Sequence, residues 1–208
     1  MLILPEQRLV FFAIPKTGST AYQQALVGHV DLALQTSPER KHMNVRQFNR
    51  LMAPALGRKY AQSLERFAVM RYPLDRIRSW YRYRTRLPAN WARSTATMTF
   101  SDFVEAYLSP EPPEFAAIGD QWTFTNTPEG RVGIDHLFAI EYPETLHAFI
   151  AERTGALGEV PKKNVSPDAP TDIGEDLAAA LREAYAEEYA LYDSVADGDG
   201  YLFTDRSV

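Results

Sequence analysis

The chain reads as an α/β protein with three layers, a central parallel sheet flanked by helices. Three observations predict this. The runs Leu9–Ile14, Arg66–Arg71 and Asp135–Glu141 are apolar through their centres without alternation, the pattern of strands buried on both faces. Between them lie stretches with apolar residues at helical spacing, and strands alternating with helices give a parallel sheet covered on both sides. Each run also delivers polar or charged residues at its C-terminal end, the Lys16–Thr20 loop, Arg71 and Glu141, where open α/β sheets bind their ligands.

At 208 residues the expectation is one domain spanning 1–208, long enough for a large core. Hydrophobic residues make up 45% and charged residues 24%, ordinary for a globular protein. The net charge of −5 argues against nucleic acid or an anionic membrane as partner, so any anion site must be local. The absence of cysteine excludes disulfides, thiolate catalysis and Cys-ligated zinc. The N-terminus lacks a basic segment followed by a long apolar one, and Leu9–Ile14 is far too short to cross a bilayer. A soluble protein without integral membrane contact is expected.

Taken in order, Leu9–Ile14 is the first strand, and Pro15 ends it because proline cannot donate to a sheet ladder. Lys16, Thr17, Gly18, Ser19 and Thr20 then lead into a helix with Tyr22, Ala25 and Leu26 on its apolar side. Asp31–Leu34 is a short second strand, and Thr36–Met43 a polar loop. Asn44 caps a helix carrying Val45, Phe48, Leu51 and Met52. After the strand Arg66–Arg71, Tyr72 is extended because it precedes proline. Pro73 suits the first turn of a helix over Pro73–Arg86, with Ile77, Trp80 and Tyr81 as its core stripe. Leu87–Thr99 is a loop, and Phe100–Leu108 a short helix opened by Ser101 or Asp102. After the strand Asp135–Glu141, a helix Pro143–Arg153 ends at Gly155. Val160–Pro170 is a polar loop. Thr171 or Asp172 starts a last long helix with Leu177, Leu181, Tyr185 and Tyr192 on one side.

The chemistry concentrates at the first two strand ends. A helix N-terminus offers unpaired N–H groups and the positive end of the dipole. Gly18 lets the backbone approach an anion, Ser19 and Thr20 carry hydroxyls, and Lys16 supplies a point charge. The lysine precedes the glycine, unlike the G-x-x-x-x-G-K-[ST] pattern. At the second strand end begins a run of six arginines, Arg71, Arg76, Arg78, Arg82, Arg84 and Arg86. Helical spacing spreads them around the axis. Arg71, at the strand end, is the one placed to meet a phosphate bidentately, and Ser79 on the following helix adds a hydroxyl. Two separated anion sites suit a ligand with phosphates at both ends, such as a nucleoside 3′,5′-bisphosphate.

IPKTGST and VMRYPLDRIRSWY, in this order and roughly fifty residues apart, resemble the two cofactor motifs of sulfotransferases that use 3′-phosphoadenosine 5′-phosphosulfate (PAPS). The resemblance covers about residues 8–86 and implies a P-loop-like fold. It implies that Lys16 contacts the 5′-phosphosulfate within the loop Thr17, Gly18, Ser19, Thr20, and that Arg71 and Ser79 hold the 3′-phosphate. PKKNVS is similar to a basic loop of glycan-modifying members, which adds Lys163 and Asn164 as cofactor-binding candidates. Tyr72 stands where many members have Asp or Asn, and no G-x-x-G-x-x-K segment follows. A carbohydrate-type, soluble bacterial branch in the cytoplasm, acting on a small-molecule or glycan acceptor, is implied over the phenol and steroid branch.

Sulfuryl transfer resembles phosphoryl transfer, an in-line attack catalysed by positioning and electrostatics. Lys16 stabilises charge on the bridging oxygen, and no metal is required. His42, in ERKHMNV, is the expected base because histidine titrates near neutrality. His29, His136, His147 and Glu141 are weaker choices, Glu141 being read as a cap of the next helix. A nucleotide-dependent phosphotransferase would need Mg²⁺-binding carboxylates near Lys16. An RNA-binding module would use Tyr72, Trp80, Tyr81 and Tyr83 among the arginines. A degenerate member would bind PAPS without turnover. The stretch Leu87–Arg131, with Trp91, Phe115 and Trp122, is the expected acceptor cleft.

Overall fold

A computed structural model of the chain describes residues 1–30, 32–34, 37–155, 158, 160 and 169–206. Six strands, β1 (Leu2–Leu4), β2 (Leu9–Phe12), β3 (Leu32–Ala33), β4 (Glu65–Met70), β5 (His136–Ala139) and β6 (Tyr201–Phe203), form one sheet in the order β3-β1-β2-β4-β5-β6. The predicted α/β class holds, with the three expected strands side by side at the centre. β2, β4 and β5 are parallel, in a register that sets Phe11 opposite Phe67 and Phe67 opposite His136. The edges differ from an all-parallel sheet, because β1, β3 and β6 all add antiparallel. β1 and β6 have three residues each, too short for periodicity to reveal.

Alternate residues of the central strands feed the two faces. Val10, Phe12, Ala68, Met70, Leu137 and Ala139 enter one apolar cluster with Val45, Phe48 and Tyr192. Phe11, Phe67, Val69 and Phe138 enter the other, with Tyr22, Leu146 and Ile150 from the helices Ser19–Ala25 and Pro143–Thr154. A third cluster lies away from the sheet, joining Ile77 and Tyr81 to Phe100, Phe103, Tyr107 and Leu181.

Several elements depart from expectation for local reasons. Asn44 does cap the next helix, in a capping box with Gln47. The helix then passes through a π turn over Phe48–Met52, which changes its angular register, so Leu51 is 52% exposed instead of buried. Thr99, not Ser101 or Asp102, caps Phe100–Leu108, with Asp102 completing the box at the third position. The last helix starts at Glu175 and breaks at Tyr185, giving Glu175–Ala184 and Ala186–Asp197. The break lets Leu181 join the third cluster while Tyr192 joins the first, and Tyr185 stacks on Tyr107 with centroids 4.6 Å apart. Gly155 ends Pro143–Thr154 in the left-handed conformation, as expected. Among the described residues no helix is long and apolar enough to cross a membrane.

Candidate active site

The C-terminal ends of β2 and β4 lie side by side, which brings the Lys16–Thr20 loop next to Arg71. Lys16 itself has φ 71°. Its ammonium lies 4.2 Å from the Tyr83 ring centroid and 5.7 Å from that of Trp80. Ser79 is four residues before Tyr83 on the helix Pro73–Arg84, hence on the same face, so Lys16 reaches back over the face that carries Ser79. Arg71 Nη1 donates to the Lys16 carbonyl at 3.4 Å. Burial, then the charges of Arg71 and Arg86, lower the Lys16 ammonium to about 8. Cations that repel one another at a loop mouth are arranged for a polyanion.

The loop residues divide by role. Thr17 is fully buried and its hydroxyl donates to the Ile14 carbonyl at 3.0 Å, so it braces the loop. Ser19 is buried as well. Gly18, with φ 71°, opens the helix without a side-chain cap. Its carbonyl takes the Ala21 N–H at 2.9 Å, which leaves the Ser19 and Thr20 N–H groups to whatever occupies the loop. A Cβ at Gly18 would sit 2.9 Å from Ile140 Cδ1, in a conformation that L residues resist. Gly18→Ala therefore carries roughly 1–2 kcal/mol of backbone strain. It is expected to weaken bisphosphate binding about tenfold by calorimetry, while Gly28→Ala, whose Cβ would have open space, leaves it unchanged. Equal affinities in the two variants would show that loop shape does not matter.

The segment expected to be a plain polar loop contains one helical turn, Pro38–Lys41, capped by Ser37. That turn seats two residues beside the loop. His42 Nδ1 donates to the Ala13 carbonyl at 2.7 Å, leaving Nε2 as the basic nitrogen. Burial first, with help from the charges of Lys41, the chain amine and Lys16, holds His42 below its ordinary value against the opposing Ala13 bond. Lys41 Nζ donates to Thr20 Oγ1 at 2.8 Å. Lys41 is a residue the sequence reading missed, although it is adjacent to His42.

Four of the six arginines are structural. Arg76 is fully buried against Glu188, with Nε 3.4 Å from Oε1. Arg78 pairs with Asp75 and donates to the Thr171 carbonyl. Arg82 donates to the Ala169 carbonyl and Thr171 Oγ1. Arg84 donates to the carbonyls of Glu114 and Phe115. Arg71 is instead held through its backbone, since its N–H donates to Gln121 Oε1 at 2.9 Å and its carbonyl accepts from Gln121 Nε2 at 2.8 Å. The Gln121 side chain and N–H both donate to Glu188 Oε1, at 2.8 and 3.0 Å. This buried brace, also unseen in the sequence, leaves the Arg71 guanidinium at the loop.

Glu141 does not cap the following helix, whose N-cap is Tyr142. Its carboxylate accepts the Tyr72 N–H at 2.9 Å, because β4 and β5 end together. His136 is buried between Glu65 and Tyr201, and His147 sits 3.4 Å from the Tyr22 hydroxyl. Lys163 and Asn164, with Lys162 and Ser166, lie outside the described residues. Of the aromatics in Leu87–Arg131, Phe115 and Trp122 pack against core clusters while Trp91 is 57% exposed.

The structure thus gathers Lys16, Thr20, Lys41, His42 and Arg71 at one mouth, with Ser79 on the face that Lys16 overlies. No curated protein and no solved structure matches the chain. A family model does, the one described as sulfotransferase family, over residues 1–193.

Proposed function

The chain belongs to the sulfotransferase family, and on that premise we propose that it moves the sulfuryl group of PAPS to a hydroxyl or amine of a carbohydrate or glycan-like acceptor. The observation that carries this reading is the convergence of Lys16, Arg71 and an uncapped helix start within one loop, beside a neutral histidine. The residues present fit the donor, since the cations Lys16, Lys41 and Arg71 and the Ser19 and Thr20 N–H groups suit a ligand with phosphates at both ends. Bound PAPS supplies a sulfuryl group activated for transfer by its phosphate leaving group. The family match over residues 1–193 supports reading the chain as one sulfotransferase domain.

Each residue then has a task. Arg71 and Ser79 hold the 3′-phosphate and so fix the donor's register. Lys16 and the N–H groups after Gly18 hold the 5′ end and stabilise the charge that grows on the bridging oxygen as the sulfur–oxygen bond breaks. His42 Nε2 takes the proton released by the acceptor as its oxygen or nitrogen bonds to sulfur. Lys41 holds Thr20 in place and adds positive charge. Trp91 offers an exposed ring against which a sugar can stack.

Titration calorimetry with adenosine 3′,5′-bisphosphate in EDTA tests the donor site. Micromolar binding by the wild type is expected, weakened at least tenfold in both Lys16→Ala and Arg71→Ala. A folded wild type that binds no bisphosphate would end this reading and direct attention to ATP with magnesium.

A further inference from the structure

A cavity of about 370 Å³ lies at the other end of β4, lined by Arg58, Arg66, Arg131 and Arg206 together with Asn49 and Asp205. Arg66 is the second residue of β4 and Arg71 follows its last. Five residues at about 3.3 Å each put the two on the order of 16 Å apart. Sulfuryl transfer has no use for this cavity.

Arg66 is built into its wall, 5% exposed. Nη1 donates to the Gly133 carbonyl at 3.2 Å, Nη2 donates to Asn49 Oδ1 at 2.9 Å, and the guanidinium lies 4.9 Å from the Phe48 centroid. Its Nε has no acceptor in the protein. The carboxylate beside it, Asp135, is engaged by the Arg66 N–H at 2.6 Å and by Arg206 Nε at 2.5 Å. Burial and Arg206 push the Arg66 guanidinium down to about 10, so it stays charged at neutral pH. Arg131 also faces Glu129, which Arg46 faces in turn. With Arg46 and Glu129 included, five guanidiniums against Asp135, Asp205 and Glu129 leave a surplus of about two positive charges, in a chain whose net charge is −5.

We propose that this cavity binds a phosphate-class dianion, free or as the monoester of a small molecule, at a site separate from the transfer loop. A guanidinium fork matches tetrahedral oxyanions in bidentate fashion, and the surplus charge matches a dianion. The volume exceeds that of a bare ion and lies in the range of small-molecule pockets. The inference does not rest on the transfer reading.

The test is calorimetry on the full chain at constant ionic strength, with inorganic phosphate and with phenyl phosphate. The variants are Lys16→Ala and the pair Arg58→Glu/Arg131→Glu, whose positions are exposed and whose folding circular dichroism checks. Millimolar or tighter phosphate binding is expected to remain when Lys16→Ala removes the transfer loop's own anion charge, and to be weakened at least tenfold in the charge-reversed pair. Tighter binding of phenyl phosphate identifies the monoester as the ligand, and equal binding identifies the free ion. Wild type that binds neither, or binding lost in Lys16→Ala and kept in the charge-reversed pair, overturns the proposal.

Discussion

Lys16→Ala is expected to lower sulfuryl transfer about 10²–10³-fold, the usual cost of deleting one group that stabilises developing charge. Release of adenosine 3′,5′-bisphosphate from PAPS measures it. The pH dependence identifies the group more sharply. As the proposed base, His42 must be neutral to accept a proton, and burial holds it below its ordinary value of 6.5. The rate therefore rises with pH through a value below that point. In the role proposed for it Lys16 must be charged, and burial beside Arg71 and Arg86 lowers its ammonium to about 8 from 10.5. The cation is present below pH 8 and is lost as pH rises through that value, so kcat/KM falls there. Bound phosphates favour the charged form and move this limb upward in kcat, because kcat/KM reports the free enzyme. A bell with limbs below 6.5 and near 8 is expected. Lys16→Ala should erase the alkaline limb and His42→Ala the acid limb. An unchanged alkaline limb in Lys16→Ala would remove Lys16 from the mechanism. Stability moves the other way from rate. The unfolded lysine keeps its proton up to 10.5, so folding stability rises between pH 8 and 10.5.

The second large effect lies at Glu188, away from the reacting atoms. Its carboxylate is 1% exposed and serves Arg76 and Gln121 together. Glu188→Ala leaves the Arg76 charge buried without its counter-ion, at a cost of about 3–5 kcal/mol. For a chain of this size that lowers Tm by on the order of 10 °C. It also removes the acceptor that anchors Gln121 against the Arg71 backbone, so bisphosphate affinity should fall with stability. Arg76→Met/Glu188→Leu removes both charges and should recover most of the lost Tm, because an apolar pair carries no desolvation cost. Thermal denaturation of the single and double variants decides. A single variant as stable as wild type would mean that the pair is not what holds this brace.

How much of this was legible in the sequence depended on the range of the interaction involved. The three central strands, the Asn44 cap, the extended Tyr72 before Pro73 and the Gly155 stop are local effects, and each was readable from adjacent residues. So was the pair of motifs around Lys16 and Arg71, because a strand end followed by a helix start is itself a local object. The six arginines were not separable by pattern, since helical spacing says only that they point in different directions. It took packing to show that Arg76, Arg78, Arg82 and Arg84 brace loops and helices, while Arg71 stays at the loop. Leu51 failed because a π turn shifts register without a sequence signal strong enough to mark it.

The sequence by itself determined the α/β class, the strand–loop–helix at Lys16, and the composition that makes any anion site local. Those follow from backbone propensity, periodicity and charge, which act between neighbours in the chain. Only the tertiary structure decided that Lys41 reaches Thr20, that His42 leans on Ala13, and that Gln121 and Glu188 hold Arg71 by its backbone. The last of these contacts join residues fifty or more apart. Their geometry is fixed by the parallel register of β2 and β4 and by burial, neither of which a linear pattern contains.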